Sequence, residues 1–219
     1  MRSMVTAHLP FPLPQPLSGL ALFTGDESVL LLSQLLCLPY LSRGRPVVLI
    51  DGANAFSPYL LADAARAQGL DFQQVLNGVH LSRVYTCHQL ESLLTEHLDP
   101  AIAALRPGAV LCLGLLDTLH DEDVPATEVA RIFRRLSAAI LKAAGHLPIL
   151  AACPDPRTAG LRTDDLRRTF GERLCRLASW HFSARPDGER VWISRHRPDP
   201  AKWEWALRLR PKQTFRRRM

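Results

Sequence analysis

Val47-Val48-Leu49-Ile50-Asp51-Gly52-Ala53-Asn54-Ala55-Phe56-Ser57-Pro58 is the stretch of this 219-residue chain on which the fold turns. Its run of apolar residues, closed by an acid and a glycine, reads as a short strand buried on both faces. Pro58 then suits the first turn of a helix over residues 58–67, and Gly69 stops it. Upstream, residues 20–23 read as a strand and 29–41 as a helix that is apolar at nearly every position and therefore buried on most sides. Strand, helix and strand at this spacing make a right-handed crossover. Downstream, strands over 79–84, 110–113 and 148–153 alternate with a helix over 88–96, running on to 105 past an interruption at Pro100, and a long amphipathic helix over 126–145 ended by Gly145. Such alternation predicts an α/β fold with a mostly parallel sheet covered on both faces. The last part changes character. Residues 176–183, 190–196 and 203–209 read as strands joined by short turns, the first over 183–189, and form an antiparallel extension. The chain divides into an extended Pro-rich arm (1–17), a core domain (18–209) and a basic tail (210–219).

Hydrophobic residues make up 47% and charged residues 22%, which fits a folded domain and excludes a disordered chain. No apolar run approaches the ~20 residues needed to cross a bilayer, so no membrane role is expected. Met1-Arg2-Ser3 is followed by Pro10, Pro12, Pro14 and Pro16 in place of an apolar signal core, which argues against secretion. Cys37, Cys87, Cys112, Cys153 and Cys175 are scattered and odd in number. They fit neither a disulfide framework nor a metal site, and they point to a reducing cytoplasm. The eight histidines form no metal-binding pair of the His-Glu-x-x-His kind, so no metal is expected and none is assigned to catalysis.

The opening stretch also resembles the second strand of the RecA/RadA recombinase core. In that family an apolar strand is followed by Asp-Thr-Glu-Gly, a spacer, Phe, a basic residue and Pro, and the Glu polarises the water that attacks ATP. The resemblance puts Ala53 at the Glu position. It continues through Gly69-Leu70-Asp71, Val75-Leu76-Asn77, Arg83-Val84-Tyr85 and His88-Gln89, covers residues 18–200, and is densest over 47–94. It implies a RecA-like P-loop NTPase core, with the last strands as its C-terminal hairpin.

A working phosphate loop needs Gly-x-x-x-x-Gly-Lys-Ser/Thr, because bare backbone amides wrap the phosphates, a Lys neutralises them and a hydroxyl holds magnesium. Matching Ser33-Gln34-Leu35-Leu36 to the family's His-Gln-Leu-Ala places Gly25, Asp26, Glu27, Ser28 and Val29 at the loop. Glu27 then replaces the second glycine, Ser28 the Lys and Val29 the hydroxyl, and the paired acids would repel a polyphosphate. Gly114 stands at the second acidic position, with Asp117 three residues later; a shifted register would bring Asp117 close. Pro154-Asp155 replaces the Asn-Gln that senses the γ-phosphate. The resemblance therefore implies a pseudo-ATPase with a degenerate Walker motif and no bound cofactor. A collapsed loop would pair Glu27 with Arg43 or Arg45.

The net charge is +6, and residues 162–219 carry most of the excess. A basic face of this sort is the electrostatic footprint of a polyanion, or else a solvated Arg-rich surface. Of the two loops that touch DNA in the family, residues 120–125 are acidic here and unsuited to phosphate. The second is basic, and with the tail it supplies the DNA-binding candidates: Arg157, Arg162, Arg167 and Arg168, then Arg210, Lys212, Arg216, Arg217 and Arg218. An ordinary helix with charge pairs among Asp164, Asp165, Arg167 and Arg168 is the alternative for the loop, and a solubilising end the alternative for the tail. Trp203 and Trp205 would share one face of a strand, where core packing is a commoner use than stacking on bases.

The expected function is that of a non-hydrolysing RecA/RadA-like accessory in DNA repair or recombination. It would bind DNA, single-stranded or without sequence preference, a recombinase-fold partner, or itself. Association with the nucleoid in a prokaryote is expected only with the DNA-binding reading. Two alternatives stand beside it: a nucleotide binder or slow ATPase with an unorthodox loop, and a protein-only adaptor.

Overall fold

The computed structural model describes residues 17–156, 165–187, 190–198 and 204–208. Eight strands form one sheet: β1 (Leu20–Gly25), β2 (Val47–Asp51), β3 (Val79–Arg83), β4 (Ala109–Leu113), β5 (Ile149–Pro154), β6 (Trp180–Asp187), β7 (Arg190–Arg197) and β8 (Glu204–Arg208). Their spatial order is β3-β2-β4-β5-β1-β6-β7-β8. The pairings from β3 through β6 are all parallel, and β6–β7 and β7–β8 are antiparallel. The fold is α/β, with a mostly parallel sheet flanked by helices and an antiparallel extension at one side.

The helices are α1 (Ser28–Leu35), α2 (Leu38–Leu41), α3 (Pro58–Ala67), α4 (Phe72–Asn77), α5 (Cys87–Ser92), α6 (Leu98–Leu105), α7 (Ala126–Ala144) and α8 (Asp165–Leu177). Strand residues alternate between faces, and the core divides accordingly. Ala21, Phe23, Val47, Leu49, Leu111 and Leu150 pack with α1 to α4 on one side. Leu20, Leu22, Val48, Ile50, Val110 and Ala151 pack with α5 to α8 on the other. Chain direction explains this split. From β1 the chain steps toward β3 and then returns through β4 and β5 to β6, so right-handed crossovers place the early helices on one face and the late ones on the opposite face.

Several elements differ from the sequence reading, each for a local reason. The helix expected over 29–41 is two, α1 and α2, because Pro39 in the first turn of α2 cannot donate an amide to the preceding turn. Residues 72–77, not read as helical, form α4, whose amides at Gln73 and Gln74 are capped by the Asp71 carboxylate at 2.9 and 3.4 Å. The interruption near Pro100 is a π-helical turn, Leu93–His97, between α5 and α6. Arg176 opens no strand. It lies in the last turn of α8, where Phe170 and Leu174, four apart, face the core, and β6 begins at Trp180. The turn expected over 183–189 is shorter, since β6 continues to Asp187 and β7 starts at Arg190.

All five cysteines are free, and four are buried. Burial pushes the Cys37 and Cys112 thiols up to about 12 and raises Cys87, Cys153 and Cys175, so each is a neutral packing group at neutral pH. Among the described residues no helix is long and apolar enough to cross a membrane, and no group of His, Cys, Asp and Glu is placed to hold a metal ion.

Candidate functional site

Open α/β sheets bind ligands at the carboxyl ends of their parallel strands, where crossovers turn in opposite directions. Here the ends of β1, β2, β4 and β5 bring together the residues singled out in the sequence. At β1, Gly25 has φ +138°, and a Cβ there would stand 2.0 Å from the Ala184 carbonyl oxygen, so only glycine lets β1 run this close to β6. The Asp155 amide donates to the Gly25 carbonyl at 2.6 Å, which joins the segment after β5 to the end of β1. Ser28 is buried, and its hydroxyl donates to the Asp26 carboxylate. The Ser28 hydroxyl is thus occupied by its own loop.

The β2 end is built from inside. Asp51 is 1% exposed, and its carboxylate accepts the amides of Ala55 and Phe56, both at 2.9 Å. Gln34, buried on α1, donates to the Ala55 carbonyl at 3.1 Å and accepts the Ser57 amide at 2.8 Å. Ser57 in turn caps α3 by accepting the Leu60 amide. Between these ties Asn54 sits at the exposed tip with φ +52°, a left-handed conformation that Asn tolerates. The Arg83 guanidinium lies 3.7 Å from the Asp51 carboxylate and balances its buried charge.

Ala53 and Gly114 are neighbours. Gly114 has φ +63°, and a Cβ on it would lie 2.5 Å from the Ala53 Cβ and 2.9 Å from the Asp117 carboxyl carbon. Gly114 follows β4 directly, and Asp117 opens a 3-10 turn, Asp117–His120, beyond the strand end. That turn folds back, so the Asp117 carboxyl group stands beside the space a side chain at 114 would fill. A carboxyl group thus lies close to residue 114, supplied from three residues further on.

The expected rescue of Glu27 by Arg43 or Arg45 does not occur: no such pair is among the ion pairs of the described residues. Both arginines lie in the turn that enters β2, at the amino end of the sheet, and Arg45 donates instead to the Pro107 carbonyl at 3.2 Å. Among the DNA-binding candidates, Arg167 is a correction. It is 6% exposed, and its guanidinium donates to the carbonyls of Leu119, Asp121 and Val124, each at 2.8 Å. It holds the acidic 120–125 loop against α8 and cannot also lie on a nucleic acid. Arg168, next to it, is exposed. Arg157, Arg162, Arg210, Lys212, Arg216, Arg217, Arg218 and Trp203 lie outside the described residues. Trp180 is half-buried, stacks on Phe182 with ring centroids 6.4 Å apart, and donates to the Ser18 carbonyl, as a packing residue does.

Two polar clusters are not foreseen from the sequence. On the α8 side of the sheet, Thr24 Oγ1 and His181 Nε2 are hydrogen-bonded at 2.9 Å, Cys175 Sγ lies 3.6 Å from the same nitrogen, and Ser183 Oγ and His196 Nε2 are 2.7 Å apart. Burial, reinforced by His196 and Arg197, holds His181 down at about 4. Strand alternation places residues 181 and 183 on one face, but a strand expected to open at Arg176 takes in the end of α8 and hides the cluster. Between α5 and α7, Glu91 is 8% exposed and receives Arg131 at 3.1 Å and Arg135 at 2.9 Å. No family model matches this sequence, and no curated protein matches it either.

Proposed function

We propose that this chain is a non-hydrolysing RecA/RadA-like accessory protein of DNA repair or recombination, which binds DNA, a recombinase-fold partner, or both, without using ATP. One observation carries the reading: at the strand ends where the resemblance requires a phosphate loop and two acids, the chain has Asp26, Glu27, Ser28, Val29, Ala53 and Gly114 in loops tied by its own hydrogen bonds. The parallel sheet with its C-terminal antiparallel pair supports the fold part of the reading. The basic excess of residues 162–219 supports the DNA part. With Arg167 removed, the contacting set is Arg157, Arg162 and Arg168 after β5, and Arg210, Lys212, Arg216, Arg217 and Arg218 in the tail. A cytoplasmic, nucleoid-associated location follows for a prokaryotic source.

Asp117 favours a second reading, in which the site still binds a magnesium nucleotide without hydrolysing it quickly. Its carboxyl group lies beside Gly114, where a magnesium-supporting acid belongs in the resemblance. Fluorescence anisotropy with single- and double-stranded DNA at two salt concentrations, with and without ATP and magnesium, separates the readings. Binding that falls steeply with salt and ignores ATP is expected. Binding that requires ATP would establish the second reading, and no binding at low salt would leave a protein-only adaptor.

A further inference from the structure

β3 ends the sheet opposite the antiparallel extension, and among the described residues no strand pairs with its outer edge. Two bonds to β2 fix its phase: the Val47 amide donates to the Gly78 carbonyl at 2.9 Å, and the Val84 amide donates to the Asp51 carbonyl at 3.1 Å. Backbone groups alternate sides along a strand, so even-numbered residues of β3 face β2, while Val79, Leu81 and Arg83 turn their N–H and C=O groups outward. Natural edges are blunted by shortness, charge (Lys above all), Pro, a bulge or a covering element. β3 has five residues and one charge, Arg83, which is drawn to Asp51 at 3.7 Å. β3 reads Val-His-Leu-Ser-Arg, without Lys or Pro, pairs with β2 in unbroken register, and exposes Leu81 at 39%. Tyr59 and Tyr85, at 81% and 68%, are the most exposed large hydrophobic residues among those described.

From this edge we infer that two copies of the chain pair β3 against β3 in antiparallel fashion about a two-fold axis through Leu81. The register follows from the outward groups. Centred on Leu81, Val79 meets the partner's Arg83 and Leu81 meets Leu81, all outward-facing positions, so each N–H finds a C=O. His80 meets the partner's Ser82, a donor–acceptor pair on the other face. No like charges stand opposite one another, and the exposed leucine gains an apolar partner on the axis, the self-complementarity an isologous contact requires. On the α5 side, an open groove of about 470 Å³, lined by apolar Val84 and Leu93 as well as by Ser82, Arg83, Gln89 and His97, adjoins the edge and leaves room for the partner's side chains. A pair of short strands buries less than the ~1,200 Å² of stable complexes, so the dimer forms reversibly with concentration. This inference stands independently of the DNA reading.

Sedimentation velocity of the full chain, from low micromolar to submillimolar concentration, tests it. The native chain is expected to shift from monomer to dimer, and Leu81→Lys and Leu81→Glu, each folded by circular dichroism, are expected to stay monomeric. Mixing the two variants is expected to restore a dimer of one copy each. Leu81→Cys adds a second readout: hydrogen-bonded antiparallel neighbours lie ~5.5 Å apart at Cα, within disulfide range, so mild oxidation should give a covalent dimer through residue 81. A native chain that stays monomeric throughout would overturn the proposal. So would a dimer that survives both charge substitutions and, as Leu81→Cys, gives no cross-link on oxidation, since another surface would then hold it.

Discussion

Single residues decide how the strand ends are built, and Asp51 and Gly114 show it in opposite ways. Asp51→Asn would turn an amide NH₂ toward one of the backbone amides that the carboxylate now accepts, leaving a buried donor unpaired. A loss of about 1–3 kcal/mol is expected, read as a lower urea midpoint with unchanged slope. Gly114 resists any attempt to reinstall an acid: its left-handed φ and the 2.5 Å approach to Ala53 Cβ penalise every side chain. Gly114→Asp should therefore destabilise the fold and restore no ATPase, and Ala53→Gly should recover part of the loss in a double-mutant cycle. In the sequence, Ala53 stands out only through the resemblance of its neighbours to an acid-bearing strand end. The work of Asp51 is not, because it depends on where the chain turns its amides after the strand. Gln34 leaves a signal, a lone amide in an apolar helix.

At the level of elements, the alternation of strand and helix is readable from periodicity, from β1 through β5. Periodicity fails at 165–177, where Phe170 and Leu174 sit among charges and the arginines at either end suggest loop and strand. Arg167 belongs here, since its three carbonyl partners fasten the 120–125 loop to α8. Arg167→Ala should cost about 3 kcal/mol or more, because buried carbonyls lose donors, and Arg167→Lys should not restore it, as an ammonium lacks the guanidinium fork. Thermal melts of the three proteins would show this, with DNA affinity at low salt unchanged for whatever fraction remains folded. The β6–β7 face predicts a pH dependence. His181 is held near 4, below the ~6.5 of an unfolded chain, so the unfolded state binds the proton first as pH falls. Its contribution to stability is complete above pH ~6.5 and is lost progressively toward pH 4. His181→Asn should flatten that part of the stability profile, measured by denaturant midpoints at pH 7.5 and 5.

For the whole molecule, composition announces a basic protein, and the charge asymmetry is plain. The strand order is not, since no local pattern records which strands become neighbours. Removing residues 209–219 should weaken DNA binding most at low salt and lower the slope of log K against log salt by ~0.7–0.9 for each phosphate the tail had neutralised. An unchanged slope would move the DNA surface to the segment after β5.

The ties around Asp51 and Gln34 run from the chain to itself and consume the amides and carbonyls of the β2–α3 loop. In a protein that turns over nucleotide, loops of this kind keep time, since they order and release as a phosphate comes and goes. Here the loop is fastened at the amides of Ala55, Phe56 and Ser57. On the proposed reading it would not order and release with a phosphate, and the hold on a partner would be set by ionic strength and concentration alone.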